Sequence, residues 1–277
     1  GVPISISATA PENQTKAMFE TDEYFRKIGN RIQIYDFVSS SIKPYINDQI
    51  GPEVIGSAYA NSQKPIVWPF VNGPHQWIPD VHRFFGWLSN DENMTTGNTP
   101  ESFFGTNNNF VFTPSTSVLK IIPASGLQYD SPQFDFLYSN VVIRDQINQP
   151  DFVSPVNLQL NHLFTAFSIG AKNNTSRDIT INSFEVVDFY NKAQVEVNFS
   201  ANNYIAYDSY EKDYPADQLS HDNKQLFKAL DNKYVLTSGA STQNIFKGTG
   251  VTDKDYRRMW PQLESEQYPI GDMYIKY

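Results

Sequence analysis

The amino-acid sequence predicts an all-β protein built from two antiparallel β-sandwich domains, and three observations carry that expectation. Apolar and polar residues alternate with period two over many short stretches, while convincing helical periodicity is scarce. Aromatic side chains, which suit pleated and half-buried surfaces, are abundant, with 20 Phe and 16 Tyr. The chain is punctuated by 17 Pro and 14 Gly, as short strands and turns require. At 277 residues it is too long for one ordinary sandwich and comfortable for two. The expected division places an N-terminal domain over residues 1–195 and a smaller C-terminal one over 196–277.

The alternation recurs from one end to the other. Ile4, Ile6 and Ala8 alternate with Ser5, Ser7 and Thr9. Ile32 and Ile34 flank Gln33, and Tyr35-Asp36-Phe37-Val38 follows. Val156, Leu158 and Leu160 alternate with Asn157, Gln159 and Asn161, and Phe167 and Ile169 flank Ser168. Ile179, Ile181, Phe184 and Val186 form the next set, then Val195, Val197 and Phe199, then Met273, Ile275 and Tyr277. Each set places its apolar members on one strand face, as packed antiparallel sheets with one wet face require. Turn chemistry separates them at Asn72-Gly73-Pro74, Thr96-Gly97-Asn98, Ser125-Gly126 and Lys172-Asn173-Asn174. The one helix expected runs through Lys224–Leu230, with Ser220 as its cap and Leu226, Phe227 and Leu230 on its apolar side. Residues 89–109, rich in Asn, Thr and Gly, read as a long surface excursion.

Charge and composition exclude several classes of function. The net charge of -9 repels phosphate backbones, so no nucleic-acid partner is expected. Arg257-Arg258 beside Lys254 is offset by Asp253 and Asp255. The absence of Cys removes disulfides, thiolate metal sites and Cys nucleophiles together. No apolar run approaches the ~18 residues of a membrane helix. There is no phosphate loop, dinucleotide fingerprint or Gly-x-Ser-x-Gly elbow. His75, His82, His162 and His221 lack the spacing of a metal pair. His82 and His162 sit in aromatic or aliphatic sequence, where packed, hydrogen-bonded histidines are expected. Asp91-Glu92 and Glu264 with Glu266 read as solvated surface rather than a glycosidase pair. No catalytic residue, cofactor or metal is expected, and the chain does not read as an enzyme.

The aromatic cluster of Trp68, Phe70, Trp77, Phe84, Phe85 and Trp87 reads first as sandwich core. Exposed instead, Trp68, Trp77 and Trp87 would offer a stacking platform for sugar rings, and that is the alternative reading. The start Gly1-Val2-Pro3 has no Met, basic segment or apolar segment. It leads to the expectation that Gly1 is an expression remnant and that any signal peptide or lipid-bearing Cys was removed upstream.

Several segments, in order, resemble the fimbrillin (Mfa-like) family of Bacteroides-type fimbrial subunits. Ile4-Ser5-Ile6-Ser7-Ala8 is followed by Thr15-Lys16 and then Gly29-Asn30-Arg31-Ile32-Gln33-Ile34-Tyr35-Asp36, similar to the family's opening β segment, Thr-Lys/Arg step and Gly-x-x-Ile-x-Val/Ile-Tyr strand. Phe134-Asp135-Phe136-Leu137-Tyr138 precedes Val156–Phe167, which resembles the family's Val-x-Leu-x-Phe-x-His-x-Leu strand. Met259-Trp260-Pro261-Gln262 and Met273–Tyr277 resemble its Ile-Pro-Gln segment and the strand after it. Leu160 departs from the family's Phe, and family members run on past the position of Tyr277 to a Trp/Gly-rich strand.

The resemblance implies two transthyretin-like sandwiches in a structural or adhesive subunit of a cell-surface fimbria (pilus). It implies an exported lipoprotein attached at the outer membrane, with other fimbrial subunits as partners in a homo- or hetero-polymer and a host protein or glycan as a further one. It also implies trimming after an Arg, which removes the first strand so that a partner's strand fills the gap. Here the removable strand is Pro3, Ile4, Ser5, Ile6, Ser7 and Ala8, and the candidate cleavage points are Arg26 and Arg31. The alternative is a surface glycan-binding lipoprotein that uses the Trp platform.

Overall fold

The computed structural model describes residues 1–9, 29–39, 41–54, 66–92, 99–105, 108–122, 136–167, 170–186, 192–200, 204–211, 234–239, 241–244, 257–259 and 273–276. The first strands are β1 (Ile6–Thr9), β2 (Arg31–Val38), β3 (Ile46–Ile50), β4 (Glu53–Val54), β5 (Ile66–Val67) and β6 (Val81–Asn90). A short helix α1 (Pro100–Phe104) precedes β7 (Phe110–Thr113), β8 (Val118–Ile121), β9 (Leu137–Ser139), β10 (Val142–Asp145) and β11 (Val156–His162). Then come β12 (Thr165–Phe167), β13 (Gly170–Ala171), β14 (Ile179–Ile181), β15 (Ser183–Val186), β16 (Lys192–Asn198) and β17 (Tyr204–Glu211). The last are β18 (Tyr234–Leu236), β19 (Gln243–Asn244), β20 (Arg257–Met259) and β21 (Met273–Lys276). The described chain is all-β apart from α1.

It divides into two compact units. The first holds residues 1–124, 134–163 and 194–208, and the second holds 125–133, 164–193 and 209–277. The division expected after residue 195 falls inside β16, and the chain passes from the first unit to the second and back twice before the final stretch.

The first unit is built on a seven-stranded sheet of order β1-β11-β9-β6-β2-β3, with β10 also on β6. A four-stranded sheet, β17-β16-β8-β7, packs against it. The packing layer is aromatic. Phe85 stacks on Phe199 at 4.4 Å between ring centroids, Tyr35 meets Phe112 at 4.5 Å, and Trp87 meets Phe112 at 5.2 Å. Arg83 crosses this layer, donating to the Phe199 carbonyl at 2.7 Å and to Ser117 Oγ at 3.0 Å while lying over the rings of Phe37 and Phe85. The opposite face of the large sheet is dry as well, with Ile32, Ile34, Phe84, Leu88, Leu158 and Leu160 buried.

Burial on both faces explains why β6 carries no readable alternation. Phe84, Phe85, Trp87 and Leu88 are all buried. Gly86 faces β2 where a Cβ would overlap the Gln33 carbonyl oxygen, so only glycine lets the two backbones approach. Residues 99–105, expected as part of a surface excursion, instead form α1. Thr99 caps it in a reciprocal box with Ser102, Pro100 occupies its first turn, and buried Phe104 stacks on Phe110.

The second unit is described as four two-stranded antiparallel pairs: β12 with β20, β13 with β19, β14 with β18 and β15 with β21. Asn173, in the turn expected from Lys172-Asn173-Asn174, is buried. It donates to the carbonyls of Arg177 and Leu236 and accepts from the backbone and hydroxyl of Thr175. The helix expected over Lys224–Leu230 lies outside the described residues.

Candidate functional site

The N-terminal strand lies at the edge of the large sheet. β1 pairs in parallel with β11, Ile6 opposite Val156 and Ala8 opposite Leu158, whereas the other described pairings of that sheet are antiparallel. Ile4 and Ile6 are buried at 4% and 5% exposure, and Ser5 and Thr9 face solvent. On the outward face Asn157 Oδ1 accepts from Ser7 Oγ at 3.2 Å and Thr9 Oγ1 at 2.7 Å. The backbone bonds run to β11 on one side, with the Val156 amide donating to the Ser5 carbonyl at 2.9 Å.

On its other side the segment meets a strap, residues 66–77. Ile6 bridges Trp68 and Pro3 bridges Gln76, both antiparallel. The Ile4 amide donates to the His75 carbonyl at 2.8 Å, and the Trp77 amide donates to the Val2 carbonyl at 3.0 Å. The same strap reaches the opposite sheet edge. Ile50 bridges Phe70, the Val71 amide donates to the Gln49 carbonyl at 2.8 Å, and Tyr45 Oη donates to the Gln76 carbonyl at 2.8 Å. The strap thus joins β1 to β3, and the first strand lies in a slot between strap and β11.

A carboxylate on β3 seats the strap. Asp48, on the same face as its neighbour Ile34, is buried. Its Oδ1 accepts from Asn72 Nδ2 at 2.9 Å and the Gln49 amide at 2.7 Å, and its Oδ2 accepts from the Asn72 amide at 3.1 Å and stands 2.9 Å from His75 Nε2. Burial by itself would push this carboxyl up. The bonds from His75, Gln49 and Asn72 outweigh it and hold Asp48 below the ordinary carboxylate range.

A second His–Asp pair lies deeper. His82 Nδ1 is 2.6 Å from Asp36 Oδ2, His82 Nε2 reaches the Ile78 carbonyl at 3.0 Å, and the Arg83 amide donates to Asp36 Oδ1 at 3.2 Å. Both side chains are fully buried. Burial raises Asp36 against the opposing pull of His82. Burial opposes a charge on His82, but the hydrogen bond and charge of Asp36 prevail and raise it. His82 is therefore a packed and hydrogen-bonded histidine. Among the described residues no group of three His, Asp or Glu gathers into a metal-binding cluster.

The remaining sequence candidates fall in different places. Trp68 and Trp87 are buried, at 6% and 4% exposure, and Trp77 is half-buried. Trp77 packs edge-on against His82 and Phe84, whereas Trp87 lies among Phe112 and Phe199 on the other face of β6. The glycan platform of Trp68, Trp77 and Trp87, the alternative to the core reading, is therefore not a shared exposed surface, because alternation along β6 sends its neighbours to opposite faces. Asp91, expected in solvated surface, is buried at 0% exposure behind the end of β6. Arg31 opens β2, where it pairs with Asn90 and donates to the Asn30 carbonyl. Arg26, His221, Glu264 and Glu266 lie outside the described residues.

No family model and no curated protein matches the chain. Solved structures do resemble it. One is a candidate cell adhesion protein from Bacteroides ovatus, 11% identical, covering 99% of this chain and 85% of that one with a TM-score of 0.45. Another is a fimbrial assembly protein from Parabacteroides distasonis, 10% identical, covering 99% of this chain and 96% of that one with a TM-score of 0.38. A third is a candidate polysaccharide-binding protein from Bacteroides thetaiotaomicron, 10% identical, covering 75% of this chain and 64% of that one with a TM-score of 0.36.

Proposed function

We propose that this chain is a structural and adhesive subunit of a bacterial cell-surface fimbria that assembles by β-strand exchange, with other fimbrial subunits as its partners and a lipid anchor at the outer membrane as its attachment. The observation that carries the reading is the slot around residues 3–8. The edge segment of residues 3–8 supplies two buried isoleucines, the parallel pairing to β11 on one side and a few bonds to the strap on the other. Removing it vacates the sockets of Ile4 and Ile6 and bares the edge of β11. Burying each isoleucine contributes about 1.5–3 kcal/mol, so the vacated slot favours any strand that restores the pattern. Backbone bonding would supply affinity and the alternate sockets would supply selectivity. The order of fimbrillin-like segments along the chain supports the same reading.

Of the two candidate cleavage points, the reading favours Arg26. A cut after Arg31 would fall inside β2, between its first residue and Ile32, from which the strand is paired on both sides. The glycan-binding alternative drew on an exposed Trp platform, and the burial of Trp68 and Trp87 removes that support.

An Arg-specific protease tests the reading. The chain, cut and freed of its leading fragment, is expected to bind a labelled peptide of residues 1–9 in trans, and the uncut chain is not. A peptide carrying Asp in place of Ile4 and Ile6 is expected to fail. A trimmed chain that keeps its fold yet neither takes up the peptide nor polymerises would contradict strand exchange.

A further inference from the structure

We propose that residues 68–77 are a clasp, latched to β3 through Asp48, which holds the N-terminal strand in its slot and must open before that strand can leave. The mechanical part stands on the geometry alone; its consequence for assembly rests on the strand-exchange reading.

The tip of the strap buries little of its own. Residues 71–74 and Gln76 are exposed, and Val71 is 54% exposed. Apolar burial therefore anchors the strap at Trp68 and, half-buried, at Phe70 and Trp77, but not between them. The tip is seated by the bonds converging on Asp48 from Asn72 and His75, with the Val71 amide on the Gln49 carbonyl and Tyr45 Oη on the Gln76 carbonyl beside them. A carboxylate buried on the inner face of a sheet is costly unless its oxygens are satisfied. Lifting the strap strips Asp48 of the Asn72 and His75 bonds at once and leaves a buried charge short of partners. The latch therefore resists partial opening.

The load it bears is the leading strand. The His75 carbonyl and the Trp77 amide flank the latch directly, and they are the groups bonded to Ile4 and Val2. Those two bonds close the slot on the side away from β11. With the clasp seated, residues 2–6 are gripped from both sides. With it lifted, only the parallel pairing to β11 remains.

Native-state hydrogen exchange on the full chain reads this directly. In Asp48→Ala, the amides of Ile4, Val71 and Trp77 are expected to exchange about 10- to 100-fold faster, the loss of bonds to a charged group. The amides of Ile34 and Phe85, in the central strands, are expected to keep wild-type protection. His75→Ala removes one bond to Asp48 and leaves the His75 carbonyl in place, so the same three amides are expected to exchange about 2- to 10-fold faster. Unchanged exchange at Ile4 and Trp77 with central protection intact overturns the clasp. Should Asp48→Ala also strip Ile34 and Phe85, the half-buried His75→Ala decides, and unchanged Ile4 and Trp77 amides there overturn it equally. Uptake of the labelled peptide of residues 1–9 by Asp48→Ala separates the two readings. Faster amide exchange with faster uptake supports both. Faster amide exchange without any uptake keeps the clasp and counts against strand exchange.

Discussion

Asp36–His82 and Asp48–His75 are the same two residue types at similar separations, 2.6 and 2.9 Å, on the same face of the same sheet, yet they do different work. The first joins the central strands β2 and β6, and both of its side chains are fully buried. The second joins edge strand β3 to a strap, and its histidine is 26% exposed. One pair is enclosed by the core; the other ties a surface strap to it. Position in the sheet, more than chemistry, decides whether breaking such a pair unfolds the unit or opens one edge.

Four measurements test this contrast between core and edge. The largest expected effect is Asp36→Ala. It takes the carboxylate away from His82 Nδ1 and the Arg83 amide in the interior, and a loss of about 3–5 kcal/mol in global stability is expected from urea unfolding. Asp48→Ala follows, with a global loss of about 1–3 kcal/mol, because much of its effect is local opening. Equal losses in the two variants would remove the contrast between core and edge.

The third point is pH, where the pairs act with opposite sign. His82 is held above its ordinary value, so its stabilisation is fully present below about pH 6.5 and is lost as pH rises through the folded value. Asp36 is raised too, which acts in the same direction, since folding favours its protonated form. Asp48 is depressed, so its contribution is present above about pH 3.9 and is lost as pH falls through the folded value. Urea midpoints followed across pH are expected to show both limbs. His82→Gln should flatten the limb above neutral and Asp48→Asn the acid one; a single variant that flattens both would show the pairs to be coupled. The smallest effect is His75→Ala, about 0.5–1.5 kcal/mol in the same unfolding measurement.

Legibility in the sequence followed solvent exposure. The first strand was readable because one of its faces is wet: Ile4 and Ile6 go in, Ser5 and Thr9 stay out. The run Val81–Asn90 was not readable as a strand, because both of its faces are covered and its apolar residues are continuous. α1 was hidden in an Asn- and Thr-rich stretch, although Thr99-Pro100 followed by Ser102 was a capping signal. Asp48 also left a trace. It sits between Ile46 and Ile50 at a position that alternation assigns to the interior, and a carboxylate there calls for a partner. What that partner was could not be read, since His75 lies 27 residues away and His82 lies 46 residues from Asp36.

Period-two patterning, aromatic content and the frequent Pro and Gly were enough to establish an all-β chain with a leading strand that has one dry face. They suffice because alternation records which face of a strand meets water, a property local to the strand. The parallel pairing of β1 with a strand some 150 residues away, the strap that closes its far side and the carboxylate that seats the strap were decided only by the folded chain. Those are choices of partner, and a partner is selected by long-range register and burial, which no local pattern encodes.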